Sequence, residues 1–294
     1  MLTRTEITAY LARLGISDIQ APTRAYLFEL HKAHVAMIPW QTLDIYAGKP
    51  MSIDVRETAA LMIQQRSGYC FHLNGAFGTL LRSLGYRVSW HRAGVQPKGE
   101  NPRVNGFHLG VTVSLPDEAG EEERWIVDVG LGDMPYEPLP LRTGDYPQGH
   151  ETYQVRASSV AEHGWRLEHE PQFAFAGVDY APEVVTDLEV FKPNHAHYSR
   201  SSDSPWIELF LMRQRNANDT NELRGCVWKN WDASGIQSYE IGSKSEWLDV
   251  MAAVFHEKLV HYSSSERSEL WRRVREQHEA WKRQKESAES RSDS

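Results

Sequence analysis

An α+β fold is predicted for this chain by three textures that follow one another along it. The amino-terminal third places apolar residues at helical spacing, the middle alternates apolar and polar residues between turn formers, and the last third repeats that alternation before ending in helical pattern. At 294 residues the chain also passes the length, about 250–300 residues, beyond which one core tends to split.

Thr3 and Glu6 make a capping-box signal ahead of Ile7, Tyr10, Leu11 and Leu14, and Pro22-Thr23 opens a second helix carrying Leu27 and Leu30. Phe71, Asn74, Phe77, Leu81 and Leu84 then recur at steps of three and four, which predicts a helix with one buried face and Gly85 as its stop. Cys70 falls in its first turn. From about Tyr86 to Leu167 short alternating segments are separated by glycine, proline and acidic turns, the mark of a β region. Within it, Phe107 to Val113 reads as a half-buried strand with His108, Gly110 and Thr112 on one face, and Trp125 to Leu131 as a second strand interrupted by Asp128. A hairpin turning about Glu118 would set His108 and Asp128 opposite each other, within reach of an imidazole–carboxylate hydrogen bond. Pro182 to Trp206 reads as a connection, Trp206 to Ile241 as further strands, and Ser245 to about Lys285 as one or two helices. The resulting division is 1–85 (helices with the cysteine helix), 86–190 (β domain), 191–205 (connection), 206–285 (strands and helices) and 286–294, a polar, frayed tail.

The chemistry is expected at Cys70, which follows a glycine turn in Arg66-Ser67-Gly68-Tyr69-Cys70-Phe71. Unpaired N–H groups and the positive end of the dipole favour an anion at such a helix start, and the thiolate is the nucleophilic form of cysteine. With His108 to take the thiol proton and Asp128 to orient the imidazole, the three make a Cys-His-Asp constellation suited to attack on an activated carbonyl. The spacing alone is also met by chance among 13 histidines and 40 acidic residues, so Cys70 as a packed core thiol and His108 as a structural histidine stand beside that reading.

The segment Arg66 to Phe71, followed by Asn74-Gly75, Phe77, Leu80-Leu81 and Leu84-Gly85-Tyr86, resembles the active-cysteine segment of the arylamine N-acetyltransferase family. Further matches run in order through Tyr10 to Gly15, His31 to His34, Ile38 to Asp44, Phe107-His108, Val127 to Gly132 and Pro138-Leu139. They cover roughly the first 140 residues; beyond, Asn194, Ser201-Ser202 and Ser204-Pro205-Trp206 are similar to a Ser/Thr-rich segment before the family's third domain. The resemblance implies an N-terminal helical bundle, a central β-barrel domain and a C-terminal α/β lid around a cysteine-protease-like Cys-His-Asp core. It implies Cys70 as acyl-thioester nucleophile, His108 as base and Asp128 as orienting acid. Acetyl-CoA is the implied co-substrate, transferred to an arylamine or hydrazine by a ping-pong mechanism, with no metal. Phe71, Leu131, Trp90 and Trp231 are the candidate substrate contacts. The sequence departs from the family at Ser67, usually glycine, at His72, usually glutamate, and at Leu131, usually phenylalanine. Leu131 weakens the case for arylamine stacking, and His72 puts a group that can titrate beside the nucleophile. Amide synthesis in natural-product assembly and cysteine-dependent hydrolysis use the same three residues and remain as alternatives.

Two cysteines, Cys70 and Cys226, make no disulfide framework, and Cys226 reads as a packed strand residue. The first residues lack the apolar core of a signal peptide and no run approaches the roughly 18 apolar residues of a membrane span, so a soluble, cytoplasmic protein is expected. A net charge of −8 without a basic stripe argues against nucleic acid as a partner. His195 and His197 have metal-like spacing but no completing ligands, and no Walker or dinucleotide glycine motif is present.

Overall fold

The computed structural model describes residues 1–117, 119–133, 135–168 and 175–292, with side chains to 285. Its first helices are α1 (Arg4–Arg13) and α2 (Arg24–Met37). Thr3 caps α1 through the expected box, accepting from the Glu6 amide while Glu6 accepts from the Thr3 amide, and Thr23 caps α2 by accepting from the Tyr26 amide. A short strand β1 (Trp40–Gln41) and a single turn α3 (Leu43–Tyr46) lead to α4 (Val55–Ile63) and α5 (Cys70–Ser83). Gly85, at φ +97°, ends α5 as its position predicts. The predicted single buried face of α5 is corrected: every side from Cys70 to Leu81 is buried, because the helix runs between the other helices and a sheet.

That sheet is antiparallel and eight-stranded, formed by β2 (Arg87–Pro97), β3 (His108–Pro116), β4 (Glu122–Ile126), β5 (Leu139–Pro140), β6 (Gly144–Gln148), β7 (Glu151–Ala157), β8 (Trp165–Glu168) and β9 (Phe175–Val185). Its order is β5-β4-β3-β2-β9-β8-β7-β6. Only residues 141–143 separate the two edge strands in sequence, so the sheet curls until its edges nearly meet, a barrel-like form. The β3–β4 hairpin is centred one residue later than expected, with Thr112 opposite Ile126 and Val113 opposite Trp125. Pairing thus shifts by two positions, which leaves every side chain on its predicted face. Glu118, the expected turn centre, lies outside the described residues. The half-buried reading of β3 is also corrected: His108 to Val113 are buried on both faces, one against α5.

A second antiparallel sheet, ordered β1-β10-β11-β12-β13, contains β10 (Leu211–Arg215), β11 (Thr220–Arg224), β12 (Val227–Asp232) and β13 (Gly235–Glu240). β1 joins the amino-terminal part to it: Trp40 pairs with Arg213, and the Gln41 amide donates to the Gly68 carbonyl at 2.8 Å. Between the sheets, the expected connection contains α6 (Lys192–Arg200), flanked by short 3-10 turns at Leu188–Phe191 and Pro205–Ile207. The chain ends in α7 (Lys244–Val254) and α8 (Ser264–Ser292), whose backbone stays helical where a frayed tail was expected. Cys226 is buried with Phe210, Leu223 and Trp247, but in the β11–β12 turn rather than in a strand.

Glu257 lies in the link between α7 and α8 and is buried, accepting from the Leu259 amide. Burial, the leading cause, raises its carboxyl from the ordinary 4.5 to about 7, Asp44 adding to this and Arg13 and Arg66 opposing it. Between those values the folded chain holds a proton that the unfolded chain releases, so stability present in acid is lost as pH rises toward 7. The thermal midpoint is expected to fall between pH 5 and pH 8, and to fall less in Glu257→Gln; parallel falls would contradict this.

Candidate active site

Cys70 is the first residue of α5, preceded by Tyr69, whose side chain makes no cap. The amides of His72 and Leu73 both donate to the Tyr69 carbonyl, at 2.9 and 3.0 Å, while those of Cys70 and Phe71 precede the first intrahelical acceptor. The Cys70 thiol is 4% exposed as part of its residue and donates to the Phe107 carbonyl at 3.8 Å.

His108 opens β3 directly after Phe107, so the strand brings the imidazole to the helix start. Its Nε2 donates to Asp128 Oδ2 at 2.6 Å, and Cys70 hydrogen-bonds the imidazole as well. Since Nε2 is committed to the carboxylate, Nδ1 is the nitrogen left for sulfur. Burial opposes charge on His108, but the Asp128 carboxylate and then the hydrogen bond and charge of Cys70 outweigh it and raise the group to about 10. The site therefore favours a proton on the imidazole.

Asp128 stands two residues beyond the end of β4 and is fully enclosed. Asn74 Nδ2 donates to its Oδ1 at 2.7 Å, the Gly130 amide donates to the same oxygen at 2.9 Å, and the Tyr180 hydroxyl donates to Oδ2 at 2.8 Å. Burial alone would raise this carboxyl; the charge and hydrogen bond of His108, with Asn74 and the Gly130 amide, hold it below the usual range. Asn74 also accepts from the Val129 amide at 2.9 Å, which ties the loop after β4 to α5 one turn beyond Cys70.

Two glycines make this convergence possible. A Cβ at Gly130 would stand 2.6 Å from Asn74 Nδ2 and 2.8 Å from Cys70 Cα, and one at Gly110 would stand 2.5 Å from the Tyr180 ring. The ring packs parallel to Trp165, 5.2 Å between centroids, which aims its hydroxyl at Asp128. Asn74 was visible in the sequence as part of the α5 stripe and of the family-like segment, without a role assigned, and Gly110 only as a neighbour of His108 on one strand face. Tyr180 gave no local signal at all, since β9 meets β3 through β2 and not through a hairpin.

Cys70 and His108 open on a cleft of about 470 Å³ walled by Trp40, Phe107, Leu131, Tyr198 and Trp206. Leu131, a candidate substrate contact by sequence, lines this cleft. Phe71, Trp90 and Trp231 are corrected, for none is among the described lining residues. Phe71 is buried against Phe191, 5.3 Å between ring centroids. Trp90 packs on Gly78, eight residues and about 12 Å along α5 from Cys70, with the Arg82 guanidinium 3.7 Å over its ring. Trp231 pairs with Thr220 and Ile236 in the second sheet. His72 is likewise corrected. It is buried edge-on to Tyr69, and burial followed by His195 lowers it to about 4, so it stays neutral at physiological pH. Tyr69 bonds His195, His197 faces the Phe107 ring, and among the described residues no group of three His, Cys, Asp or Glu could hold a metal ion. No described helix is long and apolar enough to cross a membrane.

The model of the N-acetyltransferase family matches residues 25–262. The arylamine N-acetyltransferase of Mycobacterium tuberculosis strain H37Rv is 35% identical over 158 residues, 51% of this chain and 54% of that protein, so the chain spans about half the length of such curated relatives. That of Mycolicibacterium smegmatis is 31% identical over 204 residues, 63% of this chain and 68% of the relative. The solved arylamine N-acetyltransferase of Mycobacterium marinum superposes with a TM-score of 0.80 at 23% identity, over 91% of this chain and 98% of that one, which establishes the common fold. Motif, fold and family match agree that this chain belongs to the arylamine N-acetyltransferase family.

Proposed function

We propose that the protein transfers an acetyl group from acetyl-CoA to an aromatic amine or hydrazine in two steps through an acyl-Cys70. The observation that carries this reading is the enclosed line from Cys70 through His108 to Asp128, opening on a cleft walled by aromatic rings. His108 takes the thiol proton of Cys70, giving an imidazolium–thiolate pair. Sulfur attacks the thioester carbonyl, the C–S bond to coenzyme A breaks, and His108 gives its proton to the departing thiolate. The amine then attacks the acyl-cysteine, neutral His108 takes the amine proton, and collapse releases the amide and restores the ion pair. The Cys70 and Phe71 amides are the natural donors to the developing oxyanion from the helix side.

The cleft fits an acyl donor carrying phosphates, since Arg103, Arg213 and Arg224 line it. Arg213 is engaged by Glu222 at 2.8 Å, whereas Arg224 is exposed. The solved structure of the M. marinum relative in complex with CoA supports the same donor.

Intact-protein mass after brief mixing with acetyl-CoA and no amine tests the proposal, with Cys70→Ser alongside. One acetyl group is expected on the parent alone, discharged by an added aniline or hydrazine. A folded parent whose Cys70 alkylates yet gains no acetyl group would overturn acetyl-CoA as donor and leave another thioester, as in amide synthesis.

A further inference from the structure

Tyr198 projects from α6 toward the start of α5, its ring 5.8 Å from that of Tyr69 and 6.3 Å from that of Phe71. Its ring stacks on Trp206, 3.8 Å between centroids and 14° between planes, and stands edge-on to Phe107 at 4.9 Å. Those contacts fix the direction of the phenol, and the hydroxyl donates to the Phe107 carbonyl at 3.3 Å. The Cys70 thiol donates to the same carbonyl at 3.8 Å, so hydroxyl and sulfur lie within about 7 Å of each other beside one cavity. An O–H···O bond of 3.3 Å is well beyond the usual 2.7–2.8 Å or so, and is readily exchanged for a stronger acceptor. Burial first, then the charge of Cys70, raise the phenol above its ordinary range, so it stays protonated as a donor and is near enough to feel the sulfur.

We propose that Tyr198 is a further catalytic residue, whose hydroxyl turns from the Phe107 carbonyl to the acyl oxygen at Cys70 and stabilises the oxyanion of both half-reactions. As sulfur bonds to the carbonyl carbon, the π pair moves onto oxygen, and that oxygen becomes a better acceptor than a neutral peptide carbonyl. The hydroxyl keeps its proton throughout, and on collapse the pair returns while the C–S bond to the leaving group breaks. The oxyanion then has the α5 amides and the Tyr198 hydroxyl as donors. This rests on Cys70 being the nucleophile.

The test is Tyr198→Phe, which keeps the ring and its stacking on Trp206 and removes only the donor. Acetylation is followed by the burst of p-nitrophenol from p-nitrophenyl acetate, a donor that needs no coenzyme A, and Cys70 alkylation by iodoacetamide, which passes through no oxyanion, is followed in parallel. Acetylation is expected to slow on the order of 10²-fold while alkylation stays within about twofold of the parent. An unchanged burst, or acetylation and alkylation slowed alike, would overturn the proposal, the latter placing the hydroxyl on the sulfur or in packing. A parent without any burst or Cys70 adduct would instead remove the nucleophile itself, a result distinct from a burst that the variant leaves intact.

Discussion

Asp128→Asn is expected to lower acetyl transfer by about four orders of magnitude while leaving the fold in place. The carboxylate accepts from His108 Nε2, which leaves Nδ1 free to hold or release the proton shared with Cys70. An asparagine amide facing Nε2 would donate instead, making Nε2 the acceptor and moving the imidazole proton to Nδ1, against the sulfur. His108 could then no longer take a proton from the thiol or from the attacking amine. The charge that raises His108 is lost at the same time. Asn74, the Gly130 amide and Tyr180 supply three other donors to this site, so an amide NH₂ also meets donors where the carboxylate met none but partners. Turnover of an aniline and of p-nitrophenyl acetate, with the thermal midpoint as control, measures this. Activity within tenfold of the parent at an unchanged midpoint would mean that His108 does not depend on Asp128 for its tautomer.

The largest stability effect is expected at Glu151→Ala, about 3–5 kcal/mol, because it strands a buried cation. Arg215, at the end of β10, is fully enclosed, and its Nε stands 3.3 Å from Glu151 Oε2 at the start of β7. That approach is an ion pair without hydrogen-bond alignment. The other guanidinium nitrogens are satisfied by the carbonyls of Asn216, Asp219 and Gln148, at 2.6 to 3.1 Å. Tyr153 and Thr220 donate to Glu151 at 2.5 and 3.3 Å. The pair joins the barrel-like sheet to the second sheet, and without the carboxylate the arginine must either draw in water or pull β10 from β7. Replacing both residues, as Glu151→Leu with Arg215→Met, is expected to recover most of the loss, since two charges then cease to be buried. Urea unfolding of the parent and the two variants decides it. A single variant within about 1 kcal/mol of the parent would show that Arg215 is held by its carbonyls alone.

Much of the local architecture was legible in the residues. The Thr3–Glu6 box, Thr23 at the head of α2 and Gly85 after α5 are signals of three or four residues, and each operates where it was read. Alternation gave the faces of β3 and β4 correctly even though the pairing is shifted, because a shift by two positions conserves face. Less legible was what lies behind and around the reacting atoms. Trp90 and Trp231 were candidates by residue type, yet one braces the far half of α5 and the other lies in the second sheet. His72 has a chemistry that suggests titration, but its burial settles its state.

By itself, then, the sequence determined where α1 and α2 begin and where α5 ends, that Cys70 starts a helix, and which face of β3 carries His108, since these depend on neighbours two to four residues apart. Only the tertiary structure decided that Tyr180, 52 residues from Asp128, supplies that carboxylate with a donor, that Gly110 and Gly130 leave room for the approach, and that β1 ties the second sheet to the segment before Cys70. Such contacts are set by the packing of distant strands and helices around shared cores, and no local pattern of residues encodes which distant side chain will fill a given space.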